Sequence, residues 1–461
     1  MGAGKTTLAA QLARRLDRGL GDVDAYVEER VGAAIPDFFE SHGESAFRQI
    51  EEEETVRALQ EHAPTVLSLG GGAVASQAVR DALDERAVAI HLDVDVETAW
   101  SRSRGSGRPL AQDETAFRAL YDERRPLYEA VADATATDLD GATLAAGGVH
   151  VERGALEHLG ELIRGVGKVE IVSDARVAGI YGMEVQLALG ARSRAMHELA
   201  PGEQAKSVES LEALWHSLRL ERGGLLVALG GGCTTDVAGF AAATYLRGID
   251  WVAVPTTLVG QVDAAIGGKT AIDLPDGKNL VGAFHWPIRT VIDPATLETL
   301  PDEELANGLA EVVKTGLLAG EPLWELPRDE QVRRTAAFKT AVCLRDPHDR
   351  RERAQLNLGH TFAHALEAAA GFELPHGRAV GLGLLAALRL SGLDTTPVEE
   401  ALRPEPVRVD RDAAWSALAR DKKVVGGVPR LVLLEAPGRP RLGVELPEAD
   451  VRAALDSLIA G

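Results

Sequence analysis

The sequence predicts an α/β protein whose last third is mainly helical. Three observations carry this prediction: short apolar runs recur between helical stretches, two glycine-rich turns each precede a helix, and the pattern becomes largely helical after about residue 294. The length of 461 residues indicates about two to three domains, and a hydrophobic content of 45% suffices for large cores. We therefore expect more than one compact unit along the chain.

The composition limits the cellular compartment and the classes of binding partner that we expect for this protein. The net charge of −21 would repel nucleic-acid phosphates and anionic membranes over most of the surface. Cys233 and Cys343 are the two cysteines, and we find neither a signal peptide nor an apolar run of membrane-spanning length. We predict a cytoplasmic protein that binds no nucleic acid and no membrane. Its anionic small molecules must be held by local clusters of Lys and Arg.

The first glycine-rich turn lies at the start of the sequence, Met1-Gly2-Ala3-Gly4-Lys5-Thr6-Thr7. It matches most of a phosphate-binding loop, in which backbone N–H groups and the lysine hold nucleotide phosphates and the following hydroxyl binds Mg²⁺. The candidate ATP ligands are Gly2, Gly4, Lys5, Thr6 and Thr7. The strand and first glycine that normally precede such a loop are missing. We expect either that the true chain begins upstream or that the kinase activity has been lost.

Helix and strand patterns alternate after this loop. Residues Thr7–Leu16 have a helical period, so the loop leads into a helix whose N-terminus faces phosphate. Apolar runs at Thr65–Leu69 and Val88–Leu92 are typical of buried parallel strands. Helical stretches at Glu44–Gln60 and Ser76–Leu83 separate them. This order predicts a parallel sheet covered by helices.

The sequence loses its periodicity near residues 133–148, where Ala, Thr, Asp and Gly dominate. We predict a first domain over residues 1–140, a linker over 141–146, an α/β lobe over 147–294 and an all-helical lobe over 295–461. The elements predicted after the linker are the strands Val169–Ser173, Leu225–Leu229 and Trp251–Val254 and the helices Glu303–Leu318, Thr361–Ala370 and Arg378–Ser391.

Polar motifs of the first domain suit phosphoryl transfer to a small acid, which needs Mg²⁺ ligands, a base and several arginines. In order, the motifs are Asp22-Val23-Asp24, Gly43-Glu44-x-x-Phe47-Arg48, Gly70-Gly71-Gly72, Arg108-Pro109-Leu110 and Arg124-Arg125-Pro126-Leu127-Tyr128. Each motif alone has an ordinary structural explanation, such as a turn or a solvated surface. Together, behind the phosphate-binding loop, they make residues 1–140 resemble shikimate kinase.

This resemblance implies a role for individual residues. Asp24 would orient and deprotonate the substrate hydroxyl, while Thr6 and Asp22 would hold Mg²⁺. Arg48 and Arg124 would bind the substrate carboxylate, because a guanidinium group matches it in a bidentate geometry.

The glycines and two further cations complete the implied kinase site. Gly70, Gly71 and Gly72 would let the backbone approach the substrate ring. Lys5 and Arg108 would stabilise the transferring phosphate, and Arg108 lies in a Gly/Ser-rich stretch that could act as a lid. Two alternatives stay open for this domain: a shikimate-binding remnant without catalysis, and a nucleoside monophosphate kinase, which the glycine triplet and the arginines disfavour.

The second glycine-rich turn, Gly230-Gly231-Gly232, follows an apolar strand and precedes a helix. A dinucleotide pyrophosphate can lie at such a helix N-terminus, although a tight turn alone would explain the three glycines equally well. Further candidate NAD ligands are Glu203, Lys206, Asp236, Thr256 and Thr257.

Candidate metal ligands come from the helical lobe. His360 and His364 lie four residues apart, so they share one helical face and could both bind zinc. Glu311 and His376 are further candidates. Spacing alone does not choose the remaining ligand.

With these motifs in order, residues 146–461 resemble 3-dehydroquinate synthase. The resemblance implies that Glu311, His360 and His376 bind Zn²⁺ or Co²⁺ and that His364 is a hydrogen-bonding or proton-relay group. It also implies a homodimer formed through this half of the chain. The substrate pocket it implies is lined by Arg247, Asp263, Lys269, Lys278, Asn279, Lys314, Lys339, Arg353, Asn357 and Lys422, with Lys423 as the alternative to Lys422.

Together, the resemblances imply a P-loop kinase-like parallel-sheet domain without its first strand, fused to a two-lobe synthase with an NAD-binding and a metal-binding lobe. The synthase would convert 3-deoxy-D-arabino-heptulosonate 7-phosphate to 3-dehydroquinate and phosphate while recycling NAD. The kinase would phosphorylate shikimate with ATP and Mg²⁺. The alternative for the second half, a metal-dependent polyol dehydrogenase, is disfavoured by Lys269, Lys278 and Lys314, because a neutral polyol has no anionic group for them.

Overall fold

The computed structural model describes residues 2–61, 63–104, 113–163, 167–275, 277–419, 424–425 and 428–460. The chain divides into two compact units, Met1–Gly147 and Gly148–Gly461. Arg108, Lys422 and Lys423 lie outside the described residues. Within the described ranges, no helix combines the length and the apolar character that a membrane span requires.

The first unit contains seven helices and four short strands among its described residues. The helices are α1 Lys5–Leu16, α2 Val23–Val31, α3 Ile35–Leu59, α4 Gln77–Arg86, α5 Val96–Ser103, α6 Glu114–Val131 and α7 Leu139–Ala146. The strands are β1 Gly19–Asp22, β2 Thr65–Ser68, β3 Ile90–Leu92 and β4 Ala134–Ala136. They pair in parallel as β1–β2 and β3–β4, and no pairing joins these two pairs within the described ranges.

Residues 141–146, predicted as a linker, are helical. Asp138 caps α7 by accepting a hydrogen bond of 2.8 Å from the Gly141 N–H, and the Ala- and Leu-containing face of the helix is buried. Arg15 of α1 contacts Asp140 and lies 3.3 Å from the Thr143 hydroxyl. The linker prediction is wrong because a helix of eight residues is too short to show a clear period in the sequence. The first unit therefore extends to residue 147.

The second unit has twelve helices and twelve strands in its described ranges. The helices are α8 Leu159–Leu162, α9 Ala175–Val177, α10 Met183–Leu189, α11 Val208–Ser217, α12 Gly232–Thr244, α13 Asp302–Ala319, α14 Arg328–Arg345, α15 His360–Ala369, α16 His376–Ser391, α17 Thr396–Leu402, α18 Arg411–Ala419 and α19 Glu448–Asp456. The strands are β5 Val149–Val151, β6 Val169–Asp174, β7 Ser193–Leu199, β8 Leu225–Gly230, β9 Asp250–Pro255, β10 Lys269–Leu274, β11 Gly277–Phe284, β12 Arg289–Ile292, β13 Val424–Val425, β14 Val428–Pro429, β15 Leu431–Ala436 and β16 Arg439–Val444.

A six-stranded parallel sheet forms the centre of the α/β lobe, with the strand order β5-β12-β9-β8-β6-β7. All six residues of β8 are buried. Leu226 and Ala228 pack into the core that contains α11 and α12, while Leu225 and Val227 pack into the core on the opposite face with α10. A parallel strand covered on both faces needs such a continuous apolar run, and the predicted α/β architecture is confirmed.

The C-terminal part is mainly helical, as predicted, but not entirely so. A third core joins α13, α15 and α16 to the antiparallel hairpin β15–β16, whose residues Leu431 to Leu434 are buried. A second antiparallel hairpin, β10–β11, precedes the helices. It carries Lys269, Lys278 and Asn279, and most of β11 is at least partly exposed. Polar side chains are tolerated there because the ribbon is not part of the buried sheet.

Candidate active sites

The N-terminal glycine loop leads directly into α1. Gly2 and Gly4 have positive φ angles of 70° and 83°, and residues 5–7 form the first turn of the helix. A Cβ at position 2 would overlap the Ala99 carbonyl, so glycine is required there. Backbone N–H groups at a helix N-terminus favour a bound anion. The loop can therefore receive phosphate groups.

The two candidate Mg²⁺ ligands lie side by side. The Thr6 hydroxyl donates a hydrogen bond of 3.1 Å to Asp22 Oδ2. Asp22 ends β1, and its Oδ1 accepts a bond of 3.1 Å from the Asp24 N–H, which caps α2. A hydroxyl next to a carboxylate matches the oxygen ligands that Mg²⁺ prefers.

The candidate shikimate residues surround the glycine triplet at 70–72. The Gly71 carbonyl accepts hydrogen bonds from Arg124 Nη1 at 3.1 Å and from the Tyr128 hydroxyl at 2.5 Å. A Cβ at Gly70 would lie 3.2 Å from Asp24 Oδ1, and one at Gly72 would overlap the Arg48 guanidinium. The triplet is therefore needed for the close approach of these side chains. The structure therefore places Asp24, Arg48 and Arg124 around the same glycine triplet.

Sequence reasoning missed Glu51, one helical turn after Arg48 on α3. Its carboxylate lies 2.5 Å from Arg48 Nη1, and both residues line a cleft of about 360 Å³. Burial raises the pKa of Glu51 above its ordinary value, although Arg48 opposes this shift. The spacing of three residues within a predicted helix was the available signal. Tyr128 was likewise not assigned a role.

The second glycine turn lies where β8 ends and α12 begins. Gly231 precedes the helix, and the Gly230 carbonyl accepts a hydrogen bond of 2.9 Å from the Thr256 N–H beyond β9. A Cβ at Gly231 would lie 3.1 Å from the Thr257 methyl group. Thr256 Oγ1 is buried and has no hydrogen-bond partner among the described residues. The glycine turn, Thr256 and Thr257 together form a glycine cradle at the carboxyl edge of the parallel sheet. This cradle fits a dinucleotide phosphate.

Lys206 connects three segments beside this cradle. It is 4% exposed, and its Nζ donates to Asp236 Oδ2 at 2.7 Å and to the Asn279 side chain. Glu203 lies 3.7 Å away. Burial alone would lower the pKa of Lys206, but Asp236 outweighs this effect and raises it. The lysine therefore stays charged and holds the predicted NAD ligands around it.

Two further lysines extend from the β10–β11 hairpin. Lys278 Nζ lies 3.2 Å from Glu203 Oε2 and 5.2 Å from the centre of the Phe372 ring. Lys269 contacts the Asp349 carboxylate. Sequence reasoning did not identify Phe372 or Asp349, because both lie in loops of the helical part that approach the hairpin only in the folded chain.

A largely buried charge cluster adjoins the candidate metal ligand Glu311. Asp263 Oδ1 is 2.7 Å from Lys339 Nζ and 3.7 Å from Lys314 Nζ, and Lys314 also contacts Glu311. Burial favours the protonated form of Asp263, but the two lysines outweigh it and lower the pKa of this carboxyl. Lys314 and Lys339 thus each have an acidic partner, as Lys269 and Lys278 do.

Three candidate metal ligands from three helices meet at one point. The Nε2 atoms of His360 and His376 lie 3.4 and 3.3 Å from Glu311 Oε1. The ligand atoms are all within 4.8 Å of one another. His360 Nδ1 faces the Leu358 carbonyl at 3.1 Å, and His376 Nδ1 faces Glu367 at 3.0 Å. Because both acceptors require a proton on Nδ1, Nε2 of each ring faces the shared position and can give its lone pair to a divalent ion that displaces any proton there. Two nitrogens and one carboxylate oxygen match a catalytic zinc site.

Burial and neighbouring charges shift the pKa values of all three candidate metal ligands. Burial lowers the pKa of His360, and Lys314 adds to the effect. Burial also opposes the charged form of His376, but Glu311 and Glu367 outweigh it and raise the pKa of His376 to about 10. Lys314 and His360 hold the pKa of Glu311 well below its usual range despite burial. The carboxylate is therefore available as a ligand.

Three further predicted residues, His364, Arg353 and Asn357, also lie in the second unit. The ring of His364 packs edge-on against His360, with centroids 5.5 Å apart. Arg353 is buried and donates to the Gly267 carbonyl at 2.8 Å, and Asn357 donates to the Ala354 carbonyl at 3.1 Å.

Arg247 lies at the end of α12 that is remote from the glycine turn. It is exposed and follows the C-terminal end of α12, whereas the glycine turn precedes that helix. Thirteen helical residues span about 20 Å. The structure therefore does not bring Arg247 to the glycine cradle.

Comparisons with known families assign the two units of the chain to two different families. Residues 1–146 match the family model of shikimate kinase, residues 196–307 that of the N-terminal part of 3-dehydroquinate synthase, and residues 308–424 that of its C-terminal part. The 3-dehydroquinate synthase of Gloeobacter violaceus is 42% identical over 343 residues, which cover 67% of this chain and 95% of the relative. That of Bordetella pertussis is 40% identical over 345 residues, with the same coverage.

Solved structures are similar over the second unit. A 2-epi-5-epi-valiolone synthase from Streptomyces hygroscopicus subsp. jinggangensis 5008, with NAD⁺ and Zn²⁺ bound, has a TM-score of 0.61 and 27% identity and covers 67% of this chain and 96% of that one. A 2-deoxy-scyllo-inosose synthase, complexed with carbaglucose-6-phosphate, NAD⁺ and Co²⁺, has a TM-score of 0.62 at 22% identity with the same coverage. At that identity, the second similarity shows the fold alone.

Proposed function

The chain belongs to the 3-dehydroquinate synthase family and carries a shikimate kinase region before it, and from this premise we propose that it is a bifunctional enzyme. Both families act in the shikimate pathway, so the chain has a role there. Its second unit would convert 3-deoxy-D-arabino-heptulosonate 7-phosphate to 3-dehydroquinate and phosphate. Its first unit would phosphorylate shikimate with ATP and Mg²⁺. The observation that carries the first assignment is the convergence of Glu311, His360 and His376 beside a cluster of lysines.

The residues present fit both groups that the synthase reaction requires. Glu311, His360 and His376 would hold Zn²⁺ or Co²⁺, as their donor atoms suit either ion. The glycine turn at 230–232, Thr256 and the residues around Lys206 would hold NAD⁺. When bound, NAD⁺ would take up and return a hydride, and the divalent ion would act as a Lewis acid. This fit agrees with the NAD⁺ and Zn²⁺ bound in the similar 2-epi-5-epi-valiolone synthase.

The lysines would bind the anionic substrate by exchanging partners. Lys269 now contacts Asp349, and Lys278 lies beside Glu203. A substrate phosphate would replace one carboxylate at each lysine, and this exchange favours a doubly charged group over a neutral polyol. Arg353 would add a further positive charge, and His364 would relay a proton near the reacting ring. These roles follow the family resemblance and the positions of the side chains.

The kinase assignment rests on the loop at 2–7 and the cluster around residues 70–72. Asp24 would accept the proton of the shikimate hydroxyl, while Arg48 and Arg124 would bind its carboxylate. Lys5 would neutralise the phosphate charge that develops during transfer, and Thr6 with Asp22 would hold Mg²⁺.

The synthase assignment is tested by following three products at once: released phosphate, 3-dehydroquinate and NADH. We expect phosphate and 3-dehydroquinate in equal amounts, with no accumulation of NADH. His360→Ala should reduce turnover at least about 100-fold by removing a metal ligand. His216→Ala, an exposed histidine whose side chain is 81% accessible, is the matched control and should leave it unchanged. Accumulating NADH with a neutral polyol would instead establish the dehydrogenase alternative.

The kinase assignment is tested by ATP-dependent phosphorylation of shikimate. Lys5 is the lysine of the loop, and Lys5→Ala should abolish the reaction. Arg86→Ala, which removes an exposed charge of α4, should not affect it. Shikimate binding without phosphorylation would overturn the kinase proposal and identify a binding remnant.

The proposed assembly is a homodimer formed through the second unit. Sedimentation of the full chain measures it directly, and a monomer at micromolar concentration would contradict it.

A further inference from the structure

The two histidines of the metal cluster differ in the group that orients them. His360 Nδ1 faces a backbone carbonyl, that of Leu358, at 3.1 Å. His376 Nδ1 faces a carboxylate, that of Glu367, at 3.0 Å. A carbonyl is neutral and fixed by the backbone, whereas a carboxylate adds a negative charge and belongs to a side chain that can be changed.

Both the side chain and the backbone of Glu367 are held by contacts within the fold. It lies on α15 and is only 8% exposed, and His376 is the partner that the structure gives its carboxylate. Its backbone carbonyl accepts a hydrogen bond of 2.7 Å from the Phe372 N–H, in the connection between α15 and α16. Burying a carboxylate is costly unless it is paired. The pairing therefore fixes the relative position of Glu367 and His376.

His376 depends on this contact more than His360 depends on its own. The His376 side chain is 37% exposed, compared with 10% for His360. It is also the first residue of α16, where only one neighbouring turn of helix can restrain its ring. The hydrogen bond to Glu367 supplies the missing restraint.

We propose that Glu367 is a positioning residue of the metal site. It holds His376 with the proton on Nδ1, so that the lone pair of Nε2 points to the position shared with Glu311 and His360. Its charge also makes His376 a stronger donor to a divalent cation, as outer carboxylates do in other metal sites. This inference rests on the proposed metal site and assigns Glu367 no contact with substrate.

The test is the Zn²⁺ affinity of the full chain, measured by competition with a chromophoric chelator. Glu367→Gln keeps the size of the side chain but removes its charge, and we expect 10- to 100-fold weaker binding. Glu170→Gln is the matched control: Glu170 is buried in β6 and lies 2.8 Å from His197 Nε2, outside the metal cluster. It should leave the affinity unchanged.

A spectroscopic readout separates positioning from a general loss of structure. With Co²⁺ in place of Zn²⁺, Glu367→Gln should shift the visible absorption bands, because a weaker histidine donor changes the ligand field, whereas Glu170→Gln should not. If Glu367→Gln does not fold, Glu367→Asp retains the charge and shortens the reach by one methylene, and it should bind Zn²⁺ more weakly than the unmodified chain.

The outcomes distinguish this inference from the proposed function. An unmodified chain that binds no stoichiometric Zn²⁺ or Co²⁺ would overturn the proposed metal site itself. A chain that binds one equivalent, with the same affinity and the same Co²⁺ spectrum in Glu367→Gln, would overturn only the role of Glu367. For Glu367→Asp, unchanged Zn²⁺ affinity would have the same meaning.

Discussion

The two glycine turns of the molecule differ in the strands that support them. The turn at 230–232 follows β8, a fully buried central strand with β9 and β6 on its two sides. The loop at 2–4 leads into α1, in which Ala9, Leu12, Ala13 and Leu16 are buried. The four strands of the first unit form two separate parallel pairs, and β2 has an exposed, two partly buried and one buried residue.

This comparison shows that similar turns can depend on different forces. In the second unit, apolar burial on both faces of the sheet fixes the turn, because each buried Leu or Val contributes about 1.5–3 kcal/mol. In the first unit, polar contacts carry more of the geometry, as in the bond from Thr6 to Asp22 and those from Arg124 and Tyr128 to the Gly71 carbonyl. We expect the first unit to be less resistant to local opening.

Metal removal should give the largest difference between the units. Chelation should remove about 4 kcal/mol from the second unit at a metal concentration near 1,000 times the Kd, because the ion binds only the folded state. Hydrogen exchange should therefore accelerate in α13, α15 and α16 and remain unchanged in α4 and α6. Equal acceleration in both units would contradict a metal site confined to the second.

A pair of core substitutions tests the burial argument. Leu229→Ala in β8 should cost about 3 kcal/mol, because Leu229 is fully buried and its removal leaves a cavity. Leu67→Ala in β2 should cost about 1 kcal/mol, since Leu67 is only partly buried. Denaturant unfolding, monitored by hydrogen exchange, measures the change in the free energy of unfolding that each substitution causes in its own unit. Equal costs would show that the two sheets are equally well packed.

The smallest expected effect concerns α7. Asp140→Asn weakens the contact with Arg15 and should destabilise the first unit by about 0.5–1 kcal/mol, because this pair is partly buried. The exposed substitution Glu85→Gln on α4 is the control. Faster exchange in α1 for Asp140→Asn alone would support the assignment of α7 to the first unit; no change would mean that the helix contributes little to it.

Helices and strands with strong periodicity were predictable from local sequence. The predicted Leu225–Leu229 and Val169–Ser173 became β8 and β6 with one residue added at the end of each strand, because long apolar runs require a buried sheet. Two segments were not predictable. Residues 141–146 form a helix too short to show its period, and β1 (Gly19–Asp22) lacks an apolar run and exists through pairing with β2.

The sequence by itself determined the order of the elements, the two glycine turns and, through family resemblance, the chemistry to expect of each half. Motifs of this kind are local, so residue type and spacing suffice to identify them. Only the tertiary structure decided which side chains meet. It brought Glu311 from α13 to His360 and His376, gave Lys269 and Lys278 their acidic partners, and placed Glu367 behind a metal ligand. Such contacts join residues on separate helices and loops, and their distances depend on how whole elements pack, which no spacing along the chain encodes.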